Sequence, residues 1–189
     1  MRLFMIKILC LGDSLTNGAR NEYYRDYTQE LNYLIKYKNK KDNICINESV
    51  NGETSSEILK RSIKILNNNN FDYVLLLAGT NDTKIPIPFN IYEKNILQII
   101  DNCKWAGSKI ILSTLPPIYT GLPCYSKVEG NKIIKKYNEI IIKISKKKKL
   151  RFADLRNFKE KYYSDGVHLN YKGYLEMAYK WLGALENEL

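Results

Sequence analysis

The sequence predicts an α/β fold in three layers, with a parallel β-sheet between two layers of helices. Short apolar or β-branched segments alternate with longer segments in which apolar residues recur at helical spacing. The alternation continues along the whole chain without an internal repeat or a low-complexity linker. Strands and helices that take turns in this way form right-handed crossovers, which place helices on both faces of a parallel sheet.

The predicted strands share a short length and a high content of apolar or β-branched residues. They are residues 5–11 (MIKILCL), 43–48 (NICINE), 72–78 (DYVLLLA), 109–113 (KIILS) and 150–153 (LRFA). The predicted helices share apolar residues at helical spacing and lie between or after the strands. They are residues 22–37, 54–67, 88–105, 130–148 and 170–188. The chain is therefore expected to form a five-stranded parallel sheet in a three-layer α/β/α sandwich.

Length and composition favour one domain over residues 1–189, since 189 residues with 44% hydrophobic content suffice for one sizeable core. No run of about 18 apolar residues occurs, so no membrane-spanning helix is expected. The N-terminal segment MRLFMIKILCLGDS starts like a secretory leader, but no small-residue cleavage site follows it. We interpret it as the first strand, and the cytoplasm is the expected compartment.

The formal charge of +10 raises nucleic acid or an anionic surface as a partner. However, the lysines are spread along the chain, and the densest cluster, Lys146–Lys149, ends a predicted helix, where the helix dipole favours cations. No recognition motif with interleaved aromatic residues accompanies it, so no specific nucleic-acid partner is expected. The four cysteines include no C-x-x-C pair, and neither a zinc site nor a redox motif is indicated.

Polar motifs follow several of the predicted strands. They are GDSLTNG at 12–18, SVNGET at 49–54, GTND at 79–82 and, after the fifth strand and a connecting segment, SDGVHLN at 164–170. In open α/β sheets, ligands bind beyond the carboxyl ends of the strands. A serine, a glycine, an asparagine and the only histidine of the chain are therefore expected at one edge of the sheet.

These residue types suit acyl transfer through a serine nucleophile. A serine hydroxyl needs a base within hydrogen-bond reach, and His168 is the only imidazole available to Ser14. Asp165, three positions earlier, is suited to accept from Nδ1 and hold the ring tautomer. The backbone N–H groups of Ser14 and Gly52 and the side-chain amide of Asn81 are candidate donors to a developing oxyanion. The motifs thus contain all the parts of an ester-cleaving site.

The motifs also resemble the signature blocks of the GDSL, or SGNH, hydrolases. The matching segments are GDSLT at 12–16, NGET at 51–54, GTND at 79–82 and DGVHLN at 165–170, in the family's order and over almost the whole chain. The resemblance implies a flavodoxin-like α/β fold and the activity of lipases, esterases, thioesterases and carbohydrate acetylesterases. It implies a small-molecule acyl ester as substrate, with no metal and no organic cofactor.

The resemblance implies Ser14 as the nucleophile and Asp165 with His168 as the rest of a catalytic triad. It also implies that the Ser14 N–H, Gly52 and Asn81 form the oxyanion hole. Ser49 stands where many members of the family have a glycine, which leaves the conformation of the second loop open.

Each candidate also has a purely structural interpretation. Ser14 suits a helix N-cap, Gly52 a left-handed turn and Asn81 a turn that satisfies its own backbone. Asp165 suits a turn cap that leaves His168 on an unremarkable surface turn. Asn170 is interpreted as the cap of the last helix, and Asp13 as a residue that serves loop geometry.

Other protein classes fit the sequence less well. GDSLTNG lacks the G-K-[ST] ending of a phosphate-binding loop and the G-x-G-x-x-G of a dinucleotide-binding fold. No G-x-S-x-G elbow of an α/β-hydrolase occurs. A non-catalytic carbohydrate-binding relative of the same fold stays open as an alternative, although such a protein is expected to have lost a member of the triad.

The segment TLPPIYTGLPCYSKVEG at 114–130 bears on the substrate because it follows the fourth strand at the same edge. It is expected to bring Pro116, Tyr119 and Tyr125 near the crevice, where they either line an acyl or sugar subsite or pack the loop. Without a long inserted lid the pocket should be shallow, which favours short acyl or acetyl esters. A carbohydrate O-acetylesterase and a lysophospholipase or thioesterase remain alternatives.

Overall fold

The computed structural model describes residues 5–23, 25–119 and 122–186 and has the predicted three-layer α/β/α architecture. Its central sheet is parallel throughout, and the strands run in the order β2-β1-β3-β4-β5. The strands of the described chain are β1 (Ile6–Gly12), β2 (Asn43–Ser49), β3 (Tyr73–Leu77), β4 (Lys109–Ser113) and β5 (Phe152–Ala153). The order reverses between β1 and β3, so that a crevice is expected beyond their carboxyl ends.

The central strand β1 shows why this sequence forms a parallel sheet. Ile8, Leu9, Cys10 and Leu11 form a continuous apolar run, and all four are fully buried. Strand β3 pairs with it from Ile8 opposite Tyr73 to Gly12 opposite Leu77, and all its residues are buried. Such runs are typical of strands that are covered by helices on both faces. The two strands therefore hold their carboxyl ends rigidly beside each other.

Helices cover the sheet in the two expected layers. They are α1 (Ser14–Asn17), α2 (Tyr27–Asn39), α3 (Ser55–Asn68), α4 (Phe89–Trp105), α5 (Lys127–Lys148) and α6 (Tyr171–Leu185). Helix α2 packs against α6, whereas α3 packs against α4 and α4 against α5. Among the described residues, no helix combines the length and the apolar character that crossing a membrane requires.

Caps set the helix ends and explain where the observed boundaries differ from the predicted ones. The helix predicted over 22–37 begins only at Tyr27, because the carboxylate of Asp26 accepts from the N–H of Thr28. The helix predicted from 130 begins at Lys127, since Ser126 caps it. Residues 187 and 188 of the last predicted helix lie outside the described residues.

The N-terminal end of α6 confirms the interpretation of Asn170. Its side-chain oxygen accepts from the N–H of Gly173 at 3.0 Å, which satisfies one of the free donors of the first turn. The helix therefore starts immediately after the histidine motif, and the motif is held against the end of a well-capped, largely buried helix.

Aromatic side chains fill the core between the layers. Tyr27 of α2 stacks on Trp181 of α6 with ring centroids 6.0 Å apart, and both are fully buried. Tyr92 of α4 stacks on Tyr137 of α5 with centroids 4.0 Å apart. Because each such side chain buries a large apolar area, these pairs fix the helices that carry the loops at the carboxyl edge of the sheet.

Candidate active site

The sequence motifs meet in one cleft at the carboxyl edge of the sheet. Ser14 follows β1 directly, Gly52 lies in the turn after β2, and Asn81 begins a 3₁₀ turn after β3. His168 lies just before α6. All four line a cleft of about 600 Å³, together with Tyr125 from the segment between β4 and α5. The structure therefore brings the four residues together at one edge of the sheet, as the sequence predicts.

Ser14 and His168 are 154 positions apart in the sequence and adjacent in the structure. The distance from Ser14 Oγ to His168 Nε2 is 3.2 Å, and each residue is only 7% exposed. This is hydrogen-bond distance, so the imidazole is placed to take the hydroxyl proton.

The turn that presents Ser14 depends on the two residues before it. Asp13 is the N-cap of α1, and its Oδ1 accepts from the N–H of Leu15 at 3.0 Å. Ser14 is the first residue of the helix, so the alternative in which Ser14 is itself the cap is wrong. A Cβ at Gly12 would overlap Thr16 Oγ1 and lie 2.7 Å from the carbonyl oxygen of Leu77. Only glycine therefore permits this close approach of the turn to β3.

Asp165 holds the other side of the imidazole. Its Oδ2 lies 2.9 Å from His168 Nδ1, while its Oδ1 accepts from the backbone N–H groups of Val167 at 3.0 Å and His168 at 2.7 Å. Gly166, with a φ of 83°, allows the tight turn. The carboxylate thus both caps the turn and contacts the ring, two roles that the sequence presented as alternatives.

The charge state of Asp165 fixes the tautomer of the ring. Burial raises the pKa of Asp165, but hydrogen bonds from the backbone and ring of His168 outweigh burial, so that the net pKa lies below its ordinary value. An ionised carboxylate only accepts hydrogen bonds, so Nδ1 of the neutral ring carries the proton. Nε2 is then the acceptor that faces the Ser14 hydroxyl.

Gly52 brings a backbone N–H to the same cleft. Its φ of 85° lies in the left-handed region that favours glycine, although a Cβ there would meet nothing within 4 Å. Conformation rather than space therefore requires glycine at this position. Within the part of the chain that the structure describes, the N–H groups of Ser14 and Gly52 donate to no other protein group. Both are consequently available to a ligand.

The side chain of Asn81 is more constrained than the sequence suggested. Its Nδ2 donates to the carbonyl oxygen of Glu53 at 3.0 Å and lies 3.3 Å from Asp13 Oδ2. Its Oδ1 accepts from the Tyr125 hydroxyl at 2.6 Å. The amide therefore has a fixed orientation. Of its two N–H groups, the one that faces Asp13 makes the longer and weaker contact.

Asp13 makes contacts beyond the loop geometry expected from the sequence. The residue is fully buried, and burial raises its pKa to about 7, with a further contribution from the charge of Asp82. It caps α1, the helix that Ser14 begins, and also touches the Asn81 amide. The signal available in the sequence was its position, between a glycine and a serine at the start of a short helix.

Arg20 is a second residue near the site that the sequence did not indicate. Its guanidinium lies 3.6 Å from Asp165 Oδ2, and its side chain is 62% exposed. An exposed ion pair of this kind contributes little to stability. The hydrogen bonds within the turn, rather than Arg20, are therefore the main support of the carboxylate.

The three residues expected to contact the substrate lie in different parts of the structure. Tyr125 lines the cleft, whereas Pro116 and Tyr119 are not among the described residues that line it. Pro116 is buried, and the hydroxyl of Tyr119 donates to the carbonyl oxygen of Phe158 at 2.7 Å. The ring of Tyr119 packs edge-on against Tyr163. Tyr119 thus packs its segment against the following loop, and Tyr125 is the one of the three expected residues that lines the described part of the cleft.

Metal-ligating side chains are not clustered in the described residues, where no group of three or more His, Cys, Asp or Glu is placed to hold an ion. Cys10, Cys45 and Cys103 are buried free thiols, and Cys124 is exposed at the cleft. The described residues of the cleft therefore offer a serine hydroxyl, an imidazole, a thiol, a phenol and N–H donors, with the Asp165 carboxylate behind the imidazole.

Comparisons with known proteins agree with this architecture. An arylesterase of Vibrio mimicus is 28% identical over 116 residues, which is 60% of this chain. The match spans 57% of that relative, a little over half its length. The lipase/acylhydrolase from Enterococcus faecalis superposes with a TM-score of 0.81 at 23% identity, covering 98% of this chain and 97% of that one.

An acetyl xylan esterase, AlAXEase, superposes with a TM-score of 0.79 at 23% identity, covering 95% of this chain and all of that one. At such identities the structural likeness shows the fold alone. The family assignment comes from the sequence model of the GDSL-like lipase/acylhydrolase family, which matches residues 10–175 and so includes the motifs of Ser14, Gly52, Asn81 and His168. The chain belongs to the GDSL-like lipase/acylhydrolase family.

Proposed function

We propose that the protein is a serine ester hydrolase that cleaves short-chain acyl or acetyl esters of small molecules. The observation that carries the proposal is the hydrogen-bonded series from Ser14 Oγ to His168 Nε2 at 3.2 Å and from His168 Nδ1 to Asp165 Oδ2 at 2.9 Å. The series has the order of nucleophile, base and orienting carboxylate that serine hydrolases use. Membership of an acylhydrolase family supports the same reaction class.

The first half of the reaction forms an acyl-enzyme. His168 Nε2 takes the proton of Ser14 Oγ as the oxygen attacks the ester carbonyl carbon, and Asp165 stabilises the imidazolium that results. The N–H groups of Ser14, Gly52 and Asn81 donate to the oxyanion of the tetrahedral species. The C–O bond to the alcohol then breaks, and the alcohol leaves with the proton from Nε2.

The second half of the reaction releases the acyl group. His168 takes a proton from a water molecule, whose oxygen attacks the acyl carbon of the Ser14 ester. The tetrahedral species collapses, and its bond to Ser14 Oγ breaks as Nε2 returns the proton to that oxygen. The products are a carboxylic acid and the free hydroxyl of Ser14, so the enzyme regains its starting state.

The composition of the cleft supports short acyl groups. Its apolar contributions come from Ala19, Leu122 and the ring of Tyr125, while the rest of its lining is mostly polar or charged. Burial of each methylene against apolar surface contributes about 0.8 kcal/mol to the free energy of binding. These three side chains suffice to cover an acetyl or butyryl group, whereas a long alkyl chain would need further apolar surface beyond them.

Hydrolysis of p-nitrophenyl acetate, butyrate and octanoate by the purified protein tests the proposal. We expect release of p-nitrophenol that falls with chain length and is lost in Ser14→Ala, with Thr28→Ala as a folded control outside the cleft. Labelling by a fluorophosphonate, followed by mass spectrometry of the modified peptide, identifies the reactive serine independently of the substrate. Equal hydrolysis by the wild type and Ser14→Ala would reject the proposal.

The same assay separates the alternative substrates. Acetylated sugars, lysophospholipids and acyl thioesters of matched acyl length are compared by kcat/KM under one condition. A preference for acetylated sugars would identify a carbohydrate O-acetylesterase, and a preference for the other two a lysophospholipase or thioesterase. Hydrolysis of none of these esters, in a protein whose Ser14 also fails to react, would indicate a non-catalytic relative.

A further inference from the structure

We propose that Tyr125 is a positioning residue, whose hydroxyl orients and polarises the side-chain amide of Asn81 as a donor to the oxyanion. The inference rests on the proposed function, because it concerns the oxyanion hole of the same site. It assigns Tyr125 a role other than the substrate contact expected from the sequence, since the hydroxyl is already engaged by a protein group.

The contacts of Asn81 leave one orientation of its amide. The carbonyl oxygen of Glu53 can only accept, so the atom 3.0 Å from it must be Nδ2. The other atom of the amide is then Oδ1, an acceptor, and the Tyr125 hydroxyl 2.6 Å away must donate to it. Burial raises the pKa of Tyr125 to about 12, so the hydroxyl keeps its proton at neutral pH.

Donation of a hydrogen bond to Oδ1 makes the Nδ2–H groups of the amide stronger hydrogen-bond donors. A hydrogen bond to an amide oxygen polarises the group, and linked hydrogen bonds reinforce one another in a partly buried site. One Nδ2 proton is held by Glu53, whereas the contact to Asp13 is long at 3.3 Å. The second proton is therefore the one that a substrate oxyanion would draw toward itself, and Tyr125 makes it a better donor.

Hydrogen bonds hold the backbone on both sides of Tyr125. The N–H of Tyr125 donates to the carbonyl oxygen of Leu122 at 2.8 Å, which closes a turn. The next residue, Ser126, caps α5 by accepting from the N–H of Glu129 at 3.2 Å. The tyrosine therefore lies at the point where a loop becomes a helix, with the backbone held on both sides of it and the hydroxyl bonded to Asn81.

Replacement of Tyr125 by Phe tests the role, because it removes the hydroxyl and keeps the ring in the cleft wall. We expect kcat on p-nitrophenyl acetate to fall about three- to tenfold, the ordinary worth of one hydrogen bond, with KM changed less than twofold. Tyr119→Phe is the matched control. It loses a hydroxyl of the same segment that donates to Phe158 outside the cleft lining, so its kcat should stay within twofold of wild type.

A double-mutant cycle distinguishes action through Asn81 from a separate contact with substrate. If Tyr125 acts through the amide, Tyr125→Phe should change kcat less than twofold in an Asn81→Ala background. The rate at which a fluorophosphonate modifies Ser14 gives the same comparison, and long incubations measure it even in slow variants. Independent, multiplicative effects in both measurements would overturn the proposal, as would an unchanged kcat in Tyr125→Phe.

The outcomes for Tyr125 are separate from those for the proposed function. A wild type that is no more active or reactive than Ser14→Ala means that the esterase assignment has failed. Activity that depends on Ser14, without coupling between Tyr125 and Asn81, means that only the role of Tyr125 has failed. Equal melting temperatures of Tyr125→Phe and Tyr119→Phe would confirm that a difference in kcat does not come from unfolding.

Discussion

The two edges of the sheet carry openings of nearly equal size and different chemistry. The cleft at the carboxyl edge has a volume of about 600 Å³ and contains Ser14, Asn81 and His168. The groove at the amino edge, at about 580 Å³, is lined by apolar residues and by cations such as Lys104 and Lys148. Volume alone would not identify the functional site, whereas the convergence of a serine hydroxyl, an imidazole and N–H donors points to the carboxyl edge.

Helix direction explains the difference. At the carboxyl edge the chain leaves each strand and enters a helix N-terminus, where backbone N–H groups point outward and favour a negative charge. At the amino edge α4 and α5 end, and Lys104 and Lys148 lie in their last turns, where free carbonyl groups favour cations. Lys148 also lies 3.3 Å from Asp101. The free carbonyl groups at the ends of α4 and α5 therefore account for Lys104 and Lys148 without a ligand.

The largest effect that this comparison predicts is that of Asp165→Asn at the carboxyl edge. The variant keeps an acceptor for the turn N–H groups but places an amide donor against Nδ1, so that the ring adopts the wrong tautomer. We expect kcat to fall by about 10³- to 10⁴-fold in a p-nitrophenyl acetate assay. A decrease of less than tenfold, with the turn intact by circular dichroism, would contradict the role of the carboxylate.

Asn81→Ala should have the next largest effect, because it removes one proposed oxyanion donor but leaves the proposed donors of Ser14 and Gly52. We expect kcat to fall by about 10²- to 10³-fold with KM nearly unchanged. Steady-state kinetics on the same ester measures both constants. An unchanged kcat would remove Asn81 from the oxyanion hole and leave it as a turn residue.

Asp13 should make stability depend on pH. Burial raises its folded-state pKa to about 7, above the roughly 3.9 of an unfolded aspartate, so the folded state favours the protonated acid. The contribution of Asp13 to stability therefore falls as pH rises from about 4 to 7. Between pH 5 and 8 we expect a loss of the order of 2 to 3 kcal/mol, roughly 80-fold in the unfolding equilibrium.

Urea unfolding of the wild type and Asp13→Asn at several pH values measures this contribution. Asparagine keeps an acceptor for the Leu15 N–H and does not titrate, so the difference between the two pH profiles isolates Asp13 from the other acids. Parallel profiles would show that the carboxyl group does not change its protonation state on folding.

Gly52→Ala should have a smaller effect, which arises from backbone conformation. The left-handed φ of 85° costs alanine about 1 kcal/mol, and relief of that strain would turn the N–H away from the cleft. We expect a loss of kcat of roughly tenfold, since one of several donors is displaced rather than removed. Gly107→Ala is a matched control, with a φ of 75° and no neighbour within 4 Å of a Cβ. It should lose similar stability and no activity.

Lys104→Gln at the amino edge should have the smallest effect. Its charge is exposed and far along the sheet from the hydroxyl of Ser14, so we expect kcat and KM within twofold of wild type. Esterase kinetics at low and moderate salt checks this. A large decrease would mean that the groove at the amino edge takes part in catalysis and would remove the distinction between the two edges.

The sequence predicted the architecture well because the signals were local. The apolar runs of β1 and β3 and the polar motifs after them are readable in order, and a parallel sheet brings the loops after its strands to one edge. That rule suffices to place Ser14 near His168. The cap at Asn170 was predicted for the same reason, since a helix start is specified by a few adjacent residues.

The finer contacts of the site depend on distant partners and were not predictable in this way. Nothing near Asn81 in the sequence shows that its amide meets Glu53, Asp13 and Tyr125. Tyr119 and Tyr125 look equivalent in the sequence, and only packing sends one hydroxyl to Phe158 and the other to Asn81. Side-chain direction in a loop is set by tertiary contacts that no short pattern encodes.

The chain's single imidazole makes the site unusually accessible to spectroscopy. Every ring resonance in a nuclear magnetic resonance spectrum selective for histidine belongs to His168, so no assignment step is needed. The proton between its Nδ1 and Asp165 Oδ2 should appear as a separate downfield signal, which reports the hydrogen bond directly in solution. Binding of an inhibitor at Ser14 would shift that one signal, and the catalytic state could be followed without a label or a chromogenic ester.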